Sequence, residues 1–209
     1  MASRSSRGSA LLTLIVLVLA CLALYRQFGS LLPGAHHSYA IESAAPGTVA
    51  SENHYSPGEN LERVDLDRLS TAQKSIDIAM YAFTDKYLAE ELLRLAHNGV
   101  TIRIYRDHDQ WESEERNAEK YRDQSTTQMF RGEANIHVRI KQSGRRDLMH
   151  MKAYAIDGKL LRDGSANWSA AGLKVQDNNA HFTNDPAQIK AYGSAFEEMW
   201  NRGDNIEIQ

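Results

Sequence analysis

The chain has 209 residues, with 24 lysines and arginines against 27 aspartates and glutamates, and a single cysteine. That length supplies one domain of ordinary size plus an appendage. The lone cysteine excludes an intrachain disulfide framework, and the slight net negative charge excludes a chain whose overall field alone captures nucleic acid.

Arg4 and Arg7 precede an apolar stretch from Ala10 to Tyr25, and Arg26 ends it. At helical rise the stretch spans about 24 Å, short for a bilayer but workable once Gly8 and Ser9 are included. Residues 1–27 are therefore expected to be a signal anchor or a cleaved signal peptide. The two arginines favour a cytoplasmic N-terminus, with the remainder exported to a bacterial periplasm or the cell exterior, and secreted if the segment is cleaved. Cys21 ends Val18-Leu19-Ala20-Cys21, which resembles a lipoprotein processing box, but Leu19 fits that box poorly and the apolar run continues past the cysteine. Residues 28–52, rich in Gly, Ser, Ala and Pro, read as a flexible tether. His36-His37 in this tether lacks a cysteine or acidic cluster at ligand spacing, so no metal site is expected.

From residue 53 to 209 helical and strand patterns alternate, which defines the third segment as an α/β domain. Leu61, Val64, Leu69 and Ala72 trace one helical face, followed by a strand from Ser75 to Phe83. A second helix begins near Thr84, turns Leu88, Leu92 and Leu95 inward, and stops at Asn98-Gly99, just before a strand from Val100 to Tyr105. This βαβ unit predicts a sheet covered by helices on both faces. The polar stretch Gln110 to Arg131 reads as a largely exposed helix that frays around Gln124 to Gln128. Strands are expected at Ala134–Lys141, Met149–Ile156, Lys159–Asp163 and Asn178–Phe182, before a closing helix from about Pro186 to Arg202. No internal repeat is evident.

The chemistry concentrates in His150-Met151-Lys152-Ala153-Tyr154-Ala155-Ile156-Asp157 and the following Gly164-Ser165-Ala166-Asn167. Alternation along a strand sends His150 and Lys152 to one face, so imidazole and ammonium project together. Asp157-Gly158 between apolar runs is a two-residue hairpin signal, because that turn needs positive φ at both central positions. Such a hairpin pairs Ile156 with Lys159, Lys152 with Asp163 and His150 with Ser165, with Asn167 just beyond. A nucleophile, a cation and neutral donors gathered in this way suit attack on a phosphodiester. Asp157 faces the other way, roughly 23 Å along the strand from His150, and the turn supplies its own reason for an aspartate. Trp168 reads as a packing residue.

The His-x-Lys-x4-Asp run followed by Gly-Ser-Ala-Asn resembles the catalytic signature of the phospholipase D superfamily. The resemblance extends over roughly residues 53–203, through Tyr55-Ser56-Pro57, the run Ser75 to Phe83, and a closing helix with Phe196 and Trp200. It implies a mixed β-sheet flanked by helices on both faces, a phosphohistidine mechanism, and no cofactor or metal. His150, Lys152 and Asp157 would form the catalytic set, and Lys152, Ser165 and Asn167 would hold the nonbridging phosphate oxygens. Since only one signature occurs, the chain is similar to the small bacterial endonucleases and Zucchini-type phosphodiesterases, which pair two copies to build one site, so a homodimer is implied. The family usually carries an acid on the next strand to orient the histidine. Here that region reads Asp177-Asn178-Asn179-Ala180, which puts Asn178 at the position and leaves Asp177 one residue early.

Substrate is the open point. Arg139, Lys141, Arg145 and Arg146 could line a groove for a nucleic acid backbone, yet the domain as a whole is acidic on balance, so binding would rest on local charge. A nuclease acting on DNA or RNA is the first expectation. The alternative is a phospholipase D acting on a phosphatidylcholine or cardiolipin type head group, and the third is a noncatalytic phosphate-binding module. An apolar entrance would favour lipid, a continuous basic trench nucleic acid.

Overall fold

The computed structural model describes residues 49–142 and 147–208. The N-terminal apolar segment, Cys21, His36-His37, most of the tether, Arg145 and Arg146 lie outside the described residues. Among the described residues, no helix is long and apolar enough to cross a membrane.

In chain order the elements are β1 (Ser51–Ser56), α1 (Leu61–Leu69), β2 (Ser75–Met80), α2 (Lys86–His97), β3 (Thr101–Asp107), α3 (His108–Tyr121) and α4 (Thr126–Met129). They continue with β4 (Ile136–Lys141), β5 (Lys152–Ile156), β6 (Leu160–Gly164), α5 (Ala170–Lys174), β7 (Asn178–Thr183), α6 (Pro186–Trp200) and β8 (Ile206–Ile208). These strands form an eight-stranded mixed sheet in the order β1-β7-β6-β5-β2-β3-β4-β8. Strands β2, β3 and β4 run parallel, and the remaining pairings are antiparallel. Hydrophobic residues of α1 and α2 cover one face, packing with Ile76, Ile78, Ile104 and Tyr154. On the other face Tyr192, Phe196, Met199 and Trp200 of α6 pack with Ala79, Ala153 and Ala155. Every residue of β5 is buried, as a strand enclosed by helices on both sides requires.

Strand β1 begins at Ser51, inside the stretch read as tether, and pairs along its whole length with β7. The polar Gln110–Arg131 region is not one exposed helix. Arg122 ends α3 in the left-handed region (φ 54°), and Ser125 with Gln128 forms a capping box that starts α4. Thr126 and Thr127 are fully buried there, bonded to the equally buried Arg106. The Arg106–Glu114 pair (2.6 Å) explains why this polar stretch turns inward. Its partner lies in β3, beyond the reach of local periodicity.

The hairpin also differs from expectation. Asp157 (φ 53°) and Gly158 (φ 61°) form the positive-φ turn, and the Lys159 N–H donates to the Ile156 carbonyl at 2.9 Å. Yet Ile156 pairs with Leu160, Ala155 with Leu161 and Tyr154 with Arg162, so Lys159 is an extra residue and the register moves by one. Continued from Tyr154, that register puts Lys152 opposite Gly164, not Asp163. The shift turns Leu161 onto the α6 face and Arg162 to the other, which core packing selects over the local turn rule.

Candidate active site

The signature gathers where β2, β3 and β6 end and β5 begins. His150 lies just before β5, exposed, rather than within it. Two hydrogen bonds to the main chain fix this entry. The Met149 N–H donates to Asp107 Oδ2 at 3.0 Å, and the Tyr81 N–H donates to the Met151 carbonyl at 2.8 Å. The Tyr81 ring then lies against the His150 imidazole, with centroids 4.4 Å apart. The Lys152 ammonium sits over the same ring at 4.6 Å and donates to the His150 carbonyl at 2.8 Å. Imidazole and ammonium therefore meet the same aromatic ring, although His150 is outside the strand. Burial pushes the Lys152 ammonium below the usual lysine range, and the nearby Asp107 carboxylate pushes it back up.

The second half of the signature joins through the segment after β2. Asn167 Oδ1 accepts from the Ala82 N–H at 3.4 Å, and the Trp168 N–H donates to the Ala82 carbonyl at 3.0 Å. Thus Tyr81 meets His150 and Lys152 while its neighbour Ala82 meets Asn167. Ser165 Oγ donates to Asn178 Oδ1 at 2.9 Å and accepts from the Asn179 N–H at 3.0 Å. Gly164 makes this close approach possible: its φ is +146°, and a Cβ there would stand 2.3 Å from the Asn179 carbonyl oxygen.

Beneath the site a fully buried pair locks both halves together. Arg162 donates to the Lys152 carbonyl at 2.7 Å and the Ala166 carbonyl at 3.3 Å. Its counter-charge is Asp65, which also accepts from Tyr154 Oη (2.9 Å) and Trp168 Nε1 (3.0 Å). Burial raises the Asp65 carboxyl, against the pull of Arg162, Tyr154 and Trp168. Trp168 is thus a core residue anchored by its indole N–H, as read from the sequence.

Asp157 lies at the opposite end of β5. Its carboxylate accepts from the N–H groups of Gln73 (3.0 Å), Lys74 (2.8 Å) and Ser75 (2.9 Å), pinning the loop into β2. Burial alone would raise this carboxyl, but the three donors, with Lys159 nearby, hold it below the usual carboxylate range.

The structure departs from several of these expectations. Asn178 is brought to Ser165, not to the His150 ring. Asp177 is exposed, and no hydrogen bond or ion pair of its side chain occurs among the described residues. The ring nitrogens of His150 likewise have no hydrogen-bond partner among the described residues; the contact its ring makes is with Tyr81. Arg139 stacks on Trp200 at 4.7 Å and donates to the Trp200 carbonyl, in a cavity lined also by Arg103, His137 and Glu207. Lys141 pairs with the Asp147 carboxylate at 3.4 Å. Tyr81 and Asp107 escaped the sequence reading as site residues. Asp107 carried a local signal nonetheless, an aspartate at a strand end directly before a helix, where its Oδ1 caps the Asp109 and Gln110 N–H groups. Among the described residues no cluster of three or more His, Cys, Asp or Glu could hold a metal.

A mixed eight-stranded sheet with one His-Lys pair and one Gly-Ser-Ala-Asn turn defines a phosphodiesterase-like scaffold. Residues 66–200 match the family model described as "Cardiolipin synthase, PLD-like domain", and the chain belongs to this phospholipase D-like family. Relatives include proteins named mitochondrial cardiolipin hydrolase. The one from Chlamydomonas reinhardtii is 29% identical over 136 residues, covering 65% of this chain and 56% of the relative. The one from Xenopus tropicalis is 30% identical over 138 residues, covering 65% and 59%. The chain thus spans under two thirds of the length of these relatives. Among solved structures, NucT from Helicobacter pylori superposes with a TM-score of 0.61 at 22% identity, covering 73% of this chain and 96% of that one. A phospholipase D family member, Nuc from Salmonella typhimurium, gives 0.62 at 20% identity, covering 76% and 99%. At these identities the structures share the fold.

Proposed function

We propose that this protein hydrolyses phosphodiester bonds in nucleic acid through a phosphohistidine on His150, in a site completed by a second copy of the chain. The observation that carries the reading is the shared platform, with His150 and Lys152 both against the Tyr81 ring. An imidazole nitrogen of His150 attacks phosphorus, and the bond to the leaving oxygen breaks as His150 of the partner subunit, protonated, gives that oxygen its proton. The partner's His150, now neutral, takes a proton from water, whose oxygen attacks phosphorus and breaks the P–N bond. Lys152 neutralises the nonbridging oxygens and the Asn167 amide donates to them, where charge builds in the transition state. Ser165 acts through its hydrogen bonds to Asn178 and Asn179, which hold the turn beside Lys152. Asp157 supports the fold from the far end of β5.

The exposure of His150 supports a polymeric substrate, since a nucleic acid backbone can reach it from solvent without threading into a cavity. One observation favours phospholipid as the second reading: Leu148, two residues before the nucleophile, is 39% exposed and offers an apolar contact beside the site. The names of the relatives point the same way.

The test is to incubate the detergent-solubilised full chain and its His150→Asn variant with single-stranded DNA, RNA, duplex DNA and cardiolipin vesicles, with and without chelator. The expected result is cleavage of nucleic acid that survives chelation and disappears in His150→Asn. Cleavage of vesicles alone replaces the first reading with the second. Activity lost in chelator and restored by magnesium or zinc refutes the charge assignment to Lys152 and Asn167.

A further inference from the structure

Asp107 has no part in the signature, yet its carboxylate is fully buried and touches three functions at once. Oδ1 accepts from the Asp109 and Gln110 N–H groups at 3.1 and 3.2 Å, starting α3. Oδ2 accepts from the Met149 N–H at 3.0 Å, one residue before His150. Its charge also acts on the Lys152 ammonium. The same helix start reaches the site a second time, because Gln110 Nε2 donates to Tyr81 Oη at 3.1 Å, and the Tyr81 ring carries both His150 and Lys152.

We propose that Asp107 is a positioning residue for phosphodiester hydrolysis, one that fixes the chain at Met149 so that His150 and Lys152 share a phosphate. This rests on the functional reading given above.

A residue that enters a strand from a loop has no ladder to hold its phase, so His150 needs an anchor on each side. Asp107 supplies the one at Met149, and the Tyr81 N–H supplies the other at Met151. A misplacement of about 1 Å at a reacting group costs on the order of 10²-fold in rate. Lys152, moreover, is 8% exposed, and burial favours its neutral form. Among the described residues the groups facing it are His150, Tyr81 and Asp107. Of these Asp107 is the anion, and it opposes the burial. Losing that anion makes a larger fraction of Lys152 neutral as pH rises.

Asp107→Asn separates the two contributions of the residue. Asparagine is as good a helix cap as aspartate, so the start of α3 is retained, while the charge is removed and an amide nitrogen can face the Met149 N–H. The variant is expected to lose about 10- to 100-fold in kcat, with KM close to that of wild type. The basic limb of its pH–rate profile should move to lower pH. In ¹³C-lysine NMR of the full chain, the Lys152 titration should move the same way. Asp107→Ser, which keeps the cap and lacks the reach to Met149, should lose activity comparably. Wild-type kcat with an unmoved basic limb in Asp107→Asn overturns the proposal, as does a loss confined to thermal stability. A third measurement needs no variant: the Asp107 carboxyl ¹³C shift in wild type should follow the Lys152 titration, and the absence of that response overturns the electrostatic part. Should wild type and His150→Asn be equally inert on every substrate, the phosphodiesterase reading fails, while the two NMR titrations still decide on Asp107.

Discussion

At the scale of single residues, Asp157 and His150 occupy the same signature and opposite ends of the same strand. Asp157 is saturated by three backbone N–H groups and ties the loop before β2 to the turn after β5. In Asp157→Asn the amide oxygen still accepts, but one acceptor site becomes a donor, so a loss of about 1 kcal/mol is expected. The kcat/KM of folded protein should stay within a few-fold of wild type. The sign of the pH dependence follows from the lowered carboxyl. The contribution of Asp157 is present above the ordinary aspartate value of about 3.9 and is lost as pH falls through the lower folded value. Acid unfolding followed by circular dichroism should therefore separate wild type from Asp157→Asn least at low pH. A folded Asp157→Asn protein as inactive as His150→Asn would give Asp157 a role in the reaction itself.

At the scale of elements, the β5–β6 hairpin and the turn at Gly164 set the relation between the two halves of the signature. Ala at Gly164 would put a Cβ 2.3 Å from the Asn179 carbonyl, a backbone atom held in the β6–β7 ladder. Gly164→Ala is expected to destabilise by about 1–3 kcal/mol, the usual range for overpacking. Because the Ser165 N–H is bonded to that same carbonyl, kcat/KM should also fall at least about tenfold. Thermal melts and steady-state rates on one preparation check both, and a fully active Gly164→Ala protein would contradict the described turn. The sequence made most of this hairpin legible: Asp157-Gly158 marks the turn, and alternation puts Lys152 and Tyr154 on one face. The one-residue register shift was not legible, because it depends on Leu161 finding the α6 face and Arg162 finding Asp65, both distant in sequence. Edge strands β1 and β8 were missed for a similar reason. Ser51–Ser56 has an uneven burial pattern, and Ile206–Ile208 is too short to show a period.

At the scale of the whole molecule, a lone signature leaves one imidazole per chain for a reaction that needs a nucleophile and a proton donor on opposite sides of phosphorus. Sedimentation velocity at assay concentration should show a two-fold dimer whose dissociation on dilution removes activity. A fully active monomer would contradict the shared site. The family was legible because the motif residues His150, Lys152, Ser165 and Asn167, which make up most of the candidate site, are close in sequence. Tyr81 and Asp107 were not, because strand pairing, not sequence proximity, brings them to His150. The central claim is a double displacement through His150, and its stereochemical course tests it most directly. An oligonucleotide with one phosphorothioate of defined configuration is hydrolysed in ¹⁸O-labelled water, and the configuration of the product is read. Two successive inversions predict net retention at phosphorus. Inversion, or cleavage that persists in His150→Asn, would contradict the account.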